Sequence, residues 1–400
     1  MTMDRGYILV VDDNKVNCML LTRALAEQGH TAIIAENGQQ ALTMLRAQPF
    51  DMVLLDVVMP ELDGYQTLAQ IKHDRALRHI PVIMISSVDE MDSVIRCIEM
   101  GAEDYLPKPF NAVLLRARIG VSLEKKRLRD KEQLYLKGLE RELEIGRQIQ
   151  AGFLPDSLPQ LPGWEIAARF EAAREVGGDF YDAFVMARDG KIGLVVADVC
   201  DKGVGAALFM TLFRSLIRAT SNLDYFTGRT AAPGEADMAS SAATLKNAVA
   251  LTNNYIARTH SEAAMFATLF FGILDSTTGS LIYINGGQES PIIFGANGMK
   301  MCLEATGPAV GLVPDRDFAI REAQLEPGDV LLAFTDGVPD AQSPEGEFFG
   351  QEGLLPLLTQ PFASAAALLD SIQAQLRAHI GEAKQFDDMT MLAVRRLPSP

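Results

Sequence analysis

The sequence predicts two folded domains of different class that are joined by a long helix. In residues 1–120, short apolar runs alternate with helical stretches of about ten or more residues, which predicts a doubly wound α/β domain with a parallel sheet. In residues 156–400, strand-like segments are joined by short turns, which predicts a layered α+β domain with antiparallel strands. Residues 121–155 are highly charged and contain no proline before Pro155, which predicts a helical linker. A length of 400 residues agrees with this organisation.

The strands of the α/β domain are predicted where apolar residues run without interruption. Such runs are typical of strands that are buried on both faces of a parallel sheet. The predicted strands are Tyr7–Val11, Thr31–Ala35, Met52–Leu55, Ile80–Ser86 and the closing run DYLPKPF. Helices are predicted at Val16–Gln28, at Gln39–Ala47, between the third and fourth strands, and at Met91–Met100. Gly29 and Gly101 follow two of these helices, where glycine commonly ends a helix.

The linker carries an imperfect apolar stripe along one face of the predicted helix. The stripe consists of Leu136, Leu139, Leu143, Gly146 and Ile149, which are three or four residues apart. Two interpretations fit this pattern. The helix is either a solvated spacer or one half of a helix pair in a homodimer, and Gly146 interrupts the few heptads that the second interpretation needs.

The α+β domain is predicted to contain several hairpins and three helical stretches. The predicted strands are Glu165–Ala173, Phe180–Met186, Ile192–Ala197, Phe266–Leu274, Leu281–Asn285, Val330–Thr335 and Met389–Val394. The short connections Ala187–Lys191 and Ser276–Gly279 predict antiparallel turns. Helices are predicted at about 204–222, 242–260 and 363–381, and the Ala-, Gly-, Ser- and Thr-rich segment Asp224–Ser241 is predicted to form a loop or flap.

The composition excludes several classes of function. There are 36 Lys and Arg against 52 Asp and Glu, so the formal net charge is −16. Such an acidic chain predicts no nucleic-acid partner and no binding to anionic membranes. No apolar run reaches the ~20 residues of a membrane-spanning helix, and the N-terminus does not resemble a signal peptide. The four cysteines are scattered, which predicts free thiols and a cytoplasmic protein.

Three carboxylates, a hydroxyl and a lysine follow successive strands of the α/β domain. Asp12 and Asp13 follow the first strand, Asp56 the third, Ser86 the fourth, and Lys108 the last. In a parallel sheet these positions share the carboxyl edge, where open α/β sheets bind ligands. Carboxylates that meet there favour a bound Mg²⁺, and a lysine and a hydroxyl can hold phosphoryl oxygens. Each residue alone is more often a helix cap or an ion pair, but the ordered set predicts a phosphoryl site.

Residues 4–120 resemble a response-regulator receiver domain, through the motifs VVDDN, LLDVVMPELDGY, VIMISS and YLPKPF. The resemblance implies a flavodoxin-like fold in which Asp56 accepts a phosphoryl group from a cognate histidine kinase. A carboxylate can act as such a nucleophile. The other implied site residues are the Mg²⁺ ligands Asp12 and Asp13, which act together with Asp56, the switch residues Ser86 and Tyr105, and the phosphate-contacting Lys108.

Four aspartates in the α+β domain lie either in a glycine-rich motif or next to a predicted strand. Asp179 follows a Gly-Gly pair, Asp198 and Asp336 each follow an apolar strand, and Asp387 precedes one. Because no His or Cys accompanies them, an all-oxygen ligand set favours Mg²⁺ or Mn²⁺ over zinc. Two such cations ~4 Å apart can activate a water for attack on phosphorus without a protein nucleophile. The alternative for each motif alone is a turn, or a helix N-terminus capped by Asp201.

Residues from about 147 to 397 resemble the metal-dependent serine/threonine phosphatases of the PPM type. The motifs RQIQAGFLPDSLP, EVGGDFYD, ADVCDKGVGAALFM, FTDGVPDAQSPEGEFFG and FDDMTMLAVR are most similar to the bacterial branch that acts on anti-sigma-factor antagonists. The resemblance implies a β-sandwich flanked by helices, two Mg²⁺ or Mn²⁺ ions and a phosphoprotein substrate. The implied metal ligands are Asp179, Asp198, the carbonyl of Val199, Asp336 and Asp387, with Asp388 near a metal-bound water. Arg174, which precedes the Gly-Gly loop, is a candidate contact for the substrate phosphate, and the alternative is an ordinary surface arginine.

One segment departs from the pattern of this branch. Where related sequences often carry an Asn-Ala-Gly-His-Asn-type run, residues Asn285–Pro291 read NGGQESP. Gln288 and Glu289 are predicted to replace a neutral or basic surface with an amide and a negative charge. We therefore expect substrate recognition to be affected more than metal binding.

The combined motifs predict a phosphatase that is controlled by phosphorylation of the receiver. The direction of control does not follow from the sequence. A receiver-controlled adaptor without catalysis is the alternative, but such a protein has no need to keep four metal-binding aspartates. A transcription factor is disfavoured because the chain is acidic and has no basic recognition helix.

Overall fold

The first 139 residues form one compact unit, and residues 140–400 form a second. In the computed structural model of the protein, the described residues are 5–86, 91–186, 191–222 and 238–398. The division at residue 139 lies inside the linker predicted at 121–155, whose bounds stay a prediction.

The first unit contains a parallel five-stranded sheet in the order β2-β1-β3-β4-β5. Its elements are β1 (Tyr7–Val11), α1 (Lys15–Glu27), β2 (Thr31–Ala35), α2 (Gly38–Ala47), β3 (Met52–Asp56), α3 (Gly64–His73), β4 (Val82–Ser86), α4 (Met91–Glu99), β5 (Asp104–Pro107) and α5 (Ala112–Ala151). Strands β3 and β4 are buried along their whole length, as their uninterrupted apolar runs predict. The predicted doubly wound α/β class is confirmed.

Helix α5 comprises 40 residues and includes most of the predicted linker. Gly146 does not interrupt it. Apolar side chains with large exposed fractions lie along its second half, among them Leu136, Leu139 and Ile149 of the predicted stripe. An exposed apolar stripe fits both the spacer and the helix pair, so the homodimer stays a prediction.

The second unit contains two antiparallel five-stranded sheets with helices. The elements are β6 (Trp164–Glu171), β7 (Phe180–Val185), β8 (Ile192–Val199), α6 (Val204–Ser221), α7 (Met238–Thr259), a 3₁₀ turn (Ser261–Ala263), β9 (Ala267–Leu274), β10 (Ser280–Gly286), β11 (Ile292–Gly295), β12 (Gly298–Cys302), β13 (Arg321–Gln324), β14 (Val330–Phe334), α8 (Gly350–Leu358), α9 (Ala365–Ile380) and β15 (Met389–Arg396). One sheet has the order β13-β10-β9-β8-β7 and the other β12-β11-β14-β15-β6. The predicted α+β class is confirmed.

Along the strands of the second unit, successive side chains point to opposite faces of the sheet, and this alternation gives three hydrophobic layers. On β8, Leu194 and Val196 point into the layer between the two sheets, whereas Val195 and Ala197 pack in the cluster that contains residues of α6 and α7. The other sheet follows the same rule, because Leu331 of β14 lies in the central layer and its neighbours face α8 and α9. A two-residue period therefore fixes which side chains separate the sheets and which face the helices.

The structure adds elements that the sequence pattern does not predict and changes one boundary. Strands β11, β12 and β13 and helix α8 are additional; β12 and β13 are short and largely exposed, and α8 contains Pro356.

The predicted loop Asp224–Ser241 is wrong at its end, because residues 238–241 begin α7, and residues 223–237 lie outside the described ones. In the predicted turn Ala187–Lys191, residues 187–190 also lie outside them, and the flanking strands pair antiparallel. No described helix combines the length and the apolar character needed to cross a membrane.

We predict that the layer between the sheets dominates the stability of the second unit. Phe270 is fully buried in this layer, so Phe270→Ala should lower the free energy of unfolding by about 3–5 kcal/mol. Phe348 is 58% exposed, so Phe348→Ala should change it by less than about 1 kcal/mol. Urea unfolding can be followed by the fluorescence of Trp164, the single tryptophan, which lies in the same layer. Equal losses in the two variants would contradict the prediction.

Candidate active site and phosphoacceptor site

The parallel register of the first unit brings the predicted phosphoryl-site residues to one edge of the sheet. Val11 of β1 pairs with Leu55 of β3, so Asp12 and Asp56 follow side by side. Ser86 lies at the end of β4, next to β3, and is paired with Pro107 of β5. The arrangement follows directly from strand order, as the sequence predicts.

Lys108 joins two of the carboxylates at this edge. Its Nζ lies 2.8 Å from Asp12 Oδ2 and 2.8 Å from Asp56 Oδ2. Burial raises the pKa of Asp56, and the bond to Lys108 only partly opposes that rise. Burial lowers the pKa of Lys108, but its bonds to Asp12 and Asp56 outweigh burial and raise the pKa overall. The lysine is thus held charged beside the proposed phosphoacceptor.

The carboxylates of this site are spaced for a single divalent cation. Asp12, Asp13 and Asp56 can each place one oxygen within 4.8 Å of the others. Asn17, which has no signal in the sequence pattern, donates from its amide to both oxygens of Asp12 at 3.2 and 3.1 Å. The hydroxyl of Tyr105, a buried residue, donates to the carbonyl of Ser86 at 3.4 Å.

The two sheets of the second unit bring four aspartates to their strand ends. Phe180 pairs with Ala197, so Asp179 and Asp198 are neighbours at the ends of β7 and β8. Asp336 follows β14 and Asp387 precedes its partner β15. Among the described residues, no three of these four aspartates can place their carboxylate oxygens within 4.8 Å of one another, as Asp12, Asp13 and Asp56 can. The four aspartates therefore form a more extended set.

Burial and mutual repulsion raise the pKa values of Asp179, Asp198 and Asp336. Burial, followed by the charge of Asp336, raises the pKa of Asp198 to about 7. Burial, followed by the charge of Asp387, raises the pKa of Asp336 to about 6. The pKa of Asp179 is also raised, by burial and then by Asp198. These shifts show an excess of negative charge in a poorly solvated place.

Divalent cations fit this set of residues. The side chains offer carboxylate oxygens, and the carbonyl of Val199 lies beside the Gly-Gly loop, 2.7 Å from where a Cβ on Gly178 would be. Hard oxygen donors favour Mg²⁺ or Mn²⁺, whose positive charge would relieve the repulsion that raises the pKa values. Binding of the cation is therefore coupled to loss of protons from the carboxylates.

Asp388 holds the loop that carries Asp179. Its Oδ1 accepts the backbone N–H of Ala173 at 2.8 Å, and its Oδ2 accepts those of Gly178 at 2.7 Å and Asp179 at 3.5 Å. A Cβ on Gly177 would lie 2.4 Å from Asp388 Oδ2, so only glycine permits this approach. Asp388 is thus a positioning residue for the loop.

Two positioning residues escape sequence-based reasoning. The hydroxyl of Thr335 donates to Asp179 Oδ2 at 2.6 Å and so connects the two sheets beside the carboxylates. Gln150, near the end of α5, donates to the carbonyl of Gly177 and accepts its N–H at 3.1 Å. The only sequence signal for Gln150 is its place in the RQIQ motif.

Lys202 forms an ion pair with a predicted metal ligand. Its Nζ lies 2.8 Å from Asp387 Oδ2 and donates to the carbonyl of Phe386 at 2.7 Å. The same ammonium lies 4.5 Å from the centre of the Phe386 ring, in a cation–π contact. A lysine in the DKG loop is a weak signal, because surface lysines are common in such loops.

Segment Asn285–Pro291 departs from the pattern of the similar bacterial branch, and within it Gln288 has a structural role. Contrary to the prediction of a surface amide, Gln288 is buried. It accepts the hydroxyl of Thr268 at 2.6 Å and donates to the carbonyl of Phe334 at 3.0 Å, thereby joining the two sheets. A change at Gln288 therefore acts on the sandwich and not on an exposed surface.

Two further charged residues lie beside loops of the site. Glu289 is partly buried, and burial and then the charge of Asp340 raise its pKa. Its charge also acts on Asp336. Arg174 is exposed, with Nη1 4.0 Å from where a Cβ on Gly203 would lie. Arg174 is thus next to the loop that follows Asp198.

Two family models match the chain. The response regulator receiver domain matches residues 8–120. The Stage II sporulation protein E (SpoIIE) model matches residues 188–397, just over half of the 400 residues.

Known proteins are similar to each part. Protein IcfG from Synechocystis sp. is 48% identical over 266 residues, which cover 64% of this chain and 41% of that protein. Response regulator PleD from Caulobacter vibrioides is 40% identical over 112 residues, which cover 28% of this chain and 25% of that protein. The chain therefore spans less than half the length of these relatives.

A solved structure shares the fold of the second unit. The SiaA-PP2C domain of Pseudomonas aeruginosa is 22% identical with a TM-score of 0.52, and the match covers 65% of this chain and 98% of that domain. This likeness shows the fold. Together with the family models, it shows that the chain belongs to the SpoIIE family of PPM phosphatase domains and carries a response regulator receiver domain at its N-terminal end.

Proposed function

We propose that phosphorylation of Asp56 by a histidine kinase controls metal-dependent dephosphorylation of serine or threonine in a protein. The observation that carries the proposal is the convergence of Asp179, Asp198, Asp336 and Asp387 at the strand ends of two sheets, with a raised pKa at Asp198 of about 7. A binding surface has no need for buried carboxylates that repel one another. A site for divalent cations does need them.

The chain's own residues position the reacting groups. When bound, a pair of Mg²⁺ or Mn²⁺ ions supplies an acidified water and neutralises phosphoryl charge. The carboxylates of Asp179, Asp198, Asp336 and Asp387, with the carbonyl of Val199, would hold these ions. Thr335 fixes one oxygen of Asp179, and Asp388 holds the backbone of the same loop. No Ser–His or Cys–His pair is required for this reaction.

The proposed substrate is a phosphorylated anti-sigma-factor antagonist in the cytoplasm. The support is the similarity of the motifs in residues 147–397 to the bacterial branch that acts on such proteins. In the receiver, Mg²⁺ would be held by Asp12, Asp13 and Asp56, beside Lys108, Ser86 and Tyr105.

Control by phosphorylation can reach the catalytic loop through the end of α5. Gln150 lies on this helix and holds both backbone polar groups of Gly177. Gly177 is two residues from Asp179. A displacement of the helix end would therefore move a predicted metal ligand, and a bias of only a few kcal/mol is enough to switch such a two-state element.

We predict hydrolysis of p-nitrophenyl phosphate that depends on Mn²⁺. Asp336→Asn should reduce the rate at least about 100-fold. Replacing even a residue that only hydrogen-bonds to a metal ligand lowers metal affinity or activity about 10–100-fold, and Asp336 is proposed to be a ligand itself. Asp370→Asn is a matched control, since Asp370 is an exposed partner of Arg169. An unchanged rate in the Asp336 variant would refute the proposed site, and a wild type without activity toward p-nitrophenyl phosphate and phosphoserine peptides would favour the adaptor.

We predict that acetyl phosphate labels Asp56 and changes the phosphatase rate. Asp56→Asn should abolish labelling, whereas Asp92→Asn, at an exposed position of α4, should not. The rate should differ between the phosphorylated and unphosphorylated wild type by about 5-fold or more, the usual lower range of coupling between two sites. Full labelling of the Asp56 variant would rule out this phosphoacceptor.

We predict that Gln150→Ala lowers the catalytic rate at least about ten-fold, because the loop before Asp179 loses two hydrogen bonds and misplacement by about 1 Å is costly. Gln148→Ala is the control, since Gln148 is exposed on the same helix and bonds Glu144. Trp164 fluorescence verifies that both variants are folded. Equal rates in the two variants would show that the helix end does not position the loop.

A further inference from the structure

The ammonium of Lys202 is held in a defined position beside the acidic residues of the site. Three interactions fix its ammonium: the ion pair with Asp387 at 2.8 Å, the bond to the carbonyl of Phe386 at 2.7 Å, and the contact with the Phe386 ring at 4.5 Å. The side chain is 28% exposed, so the charge is partly shielded from water.

The backbone around Lys202 aims the side chain. Asp201 has a φ of 73°, which is uncommon for a residue other than glycine, and Gly203 has a φ of 86°. The loop lies between the end of β8, which carries Asp198, and the start of α6. Lys202 is therefore held by the same turn that places a neighbouring metal-binding candidate.

An ammonium and a divalent cation cannot share this oxygen of Asp387 without strong repulsion. The lysine nitrogen needs about 2.8 Å and Mg²⁺ needs about 2.0–2.1 Å from the oxygen. Both charges would then lie close together in a partly buried place, where Coulomb repulsion is larger than in water. Occupancy by one must weaken the other.

We propose that Lys202 is an internal counter-ion of Asp387 that competes with the divalent cation and thereby sets the metal affinity of the site. Cation binding displaces the ammonium from Asp387, and loss of the cation allows it to return. The inference rests on the proposed function, because that function assigns Asp387 as a metal ligand. The role of Lys202 is positional, since its partners are a carboxylate, a backbone carbonyl and an aromatic ring and not the substrate.

Calorimetric titration of the full chain with MnCl₂ tests the competition. Lys202→Gln should bind Mn²⁺ about three- to ten-fold more tightly than the wild type, because the competing ion pair is removed. Lys202→Arg keeps the charge and should remain weaker than Lys202→Gln. Lys246→Gln is the matched control, since it removes an equal charge from the exposed pair with Asp317 and should leave the affinity unchanged.

Thermal unfolding followed by Trp164 fluorescence separates competition from a structural role. Lys202→Gln should lower the midpoint of the metal-free protein, in which Asp387 loses its counter-ion, but not that of the Mn²⁺-saturated protein, in which the pair is already broken. An equal decrease of the unfolding midpoint in both states, or equal Mn²⁺ affinities of wild type and Lys202→Gln, would overturn this inference and leave the proposed function standing. A wild type that binds no Mn²⁺ would overturn both the inference and the proposed function.

Discussion

The gathering of like charges at strand ends is the constraint on which both units depend. In each unit the sheet register is fixed by apolar side chains, and the register leaves the carboxylates no freedom to move apart. Burial, together with the charge of neighbouring acids, raises the pKa values of Asp56, Asp198 and Asp336. Hydrophobic burial thus supplies the free energy that holds repelling groups together.

The two units compensate this repulsion differently. In the first, one lysine bridges two carboxylates, which leaves a compact site of three acids suited to a single cation. In the second, the acids are spread over four strand ends, and three of them have partners of different kinds. Asp388 is satisfied by backbone N–H groups and Asp179 by Thr335, whereas Asp387 is paired with Lys202. Asp388 positions the loop through its backbone bonds, whereas burial and mutual repulsion keep the pKa values of Asp198 and Asp336 raised.

The fold and the acidic residues could be predicted from sequence because they depend on local patterns. Uninterrupted apolar runs give the parallel strands, and the residues that follow them must meet at one edge. The roles of Gln288, Asp388 and Lys202 could not be predicted in this way. They depend on contacts between the two sheets, such as that between Asp388 and Gly178, 210 residues apart. Strands β12 and β13 were missed for a related reason, since exposed edge strands lack the apolar pattern that marks a buried one.

The loop Gly177–Asp179 is held from two sides, and this arrangement explains how a small displacement can alter the site. Asp388, just before β15, binds the N–H of Gly178, while Gln150, on α5, binds both polar groups of Gly177. Asp179 is held against the repulsion of Asp198, so the loop does not stay in place by its own preference. Releasing the contacts with α5 would leave Asp388 and Thr335 to oppose that repulsion. Under the proposed control, motion of the helix end would change the distance between Asp179 and Asp198 and with it the affinity for a cation.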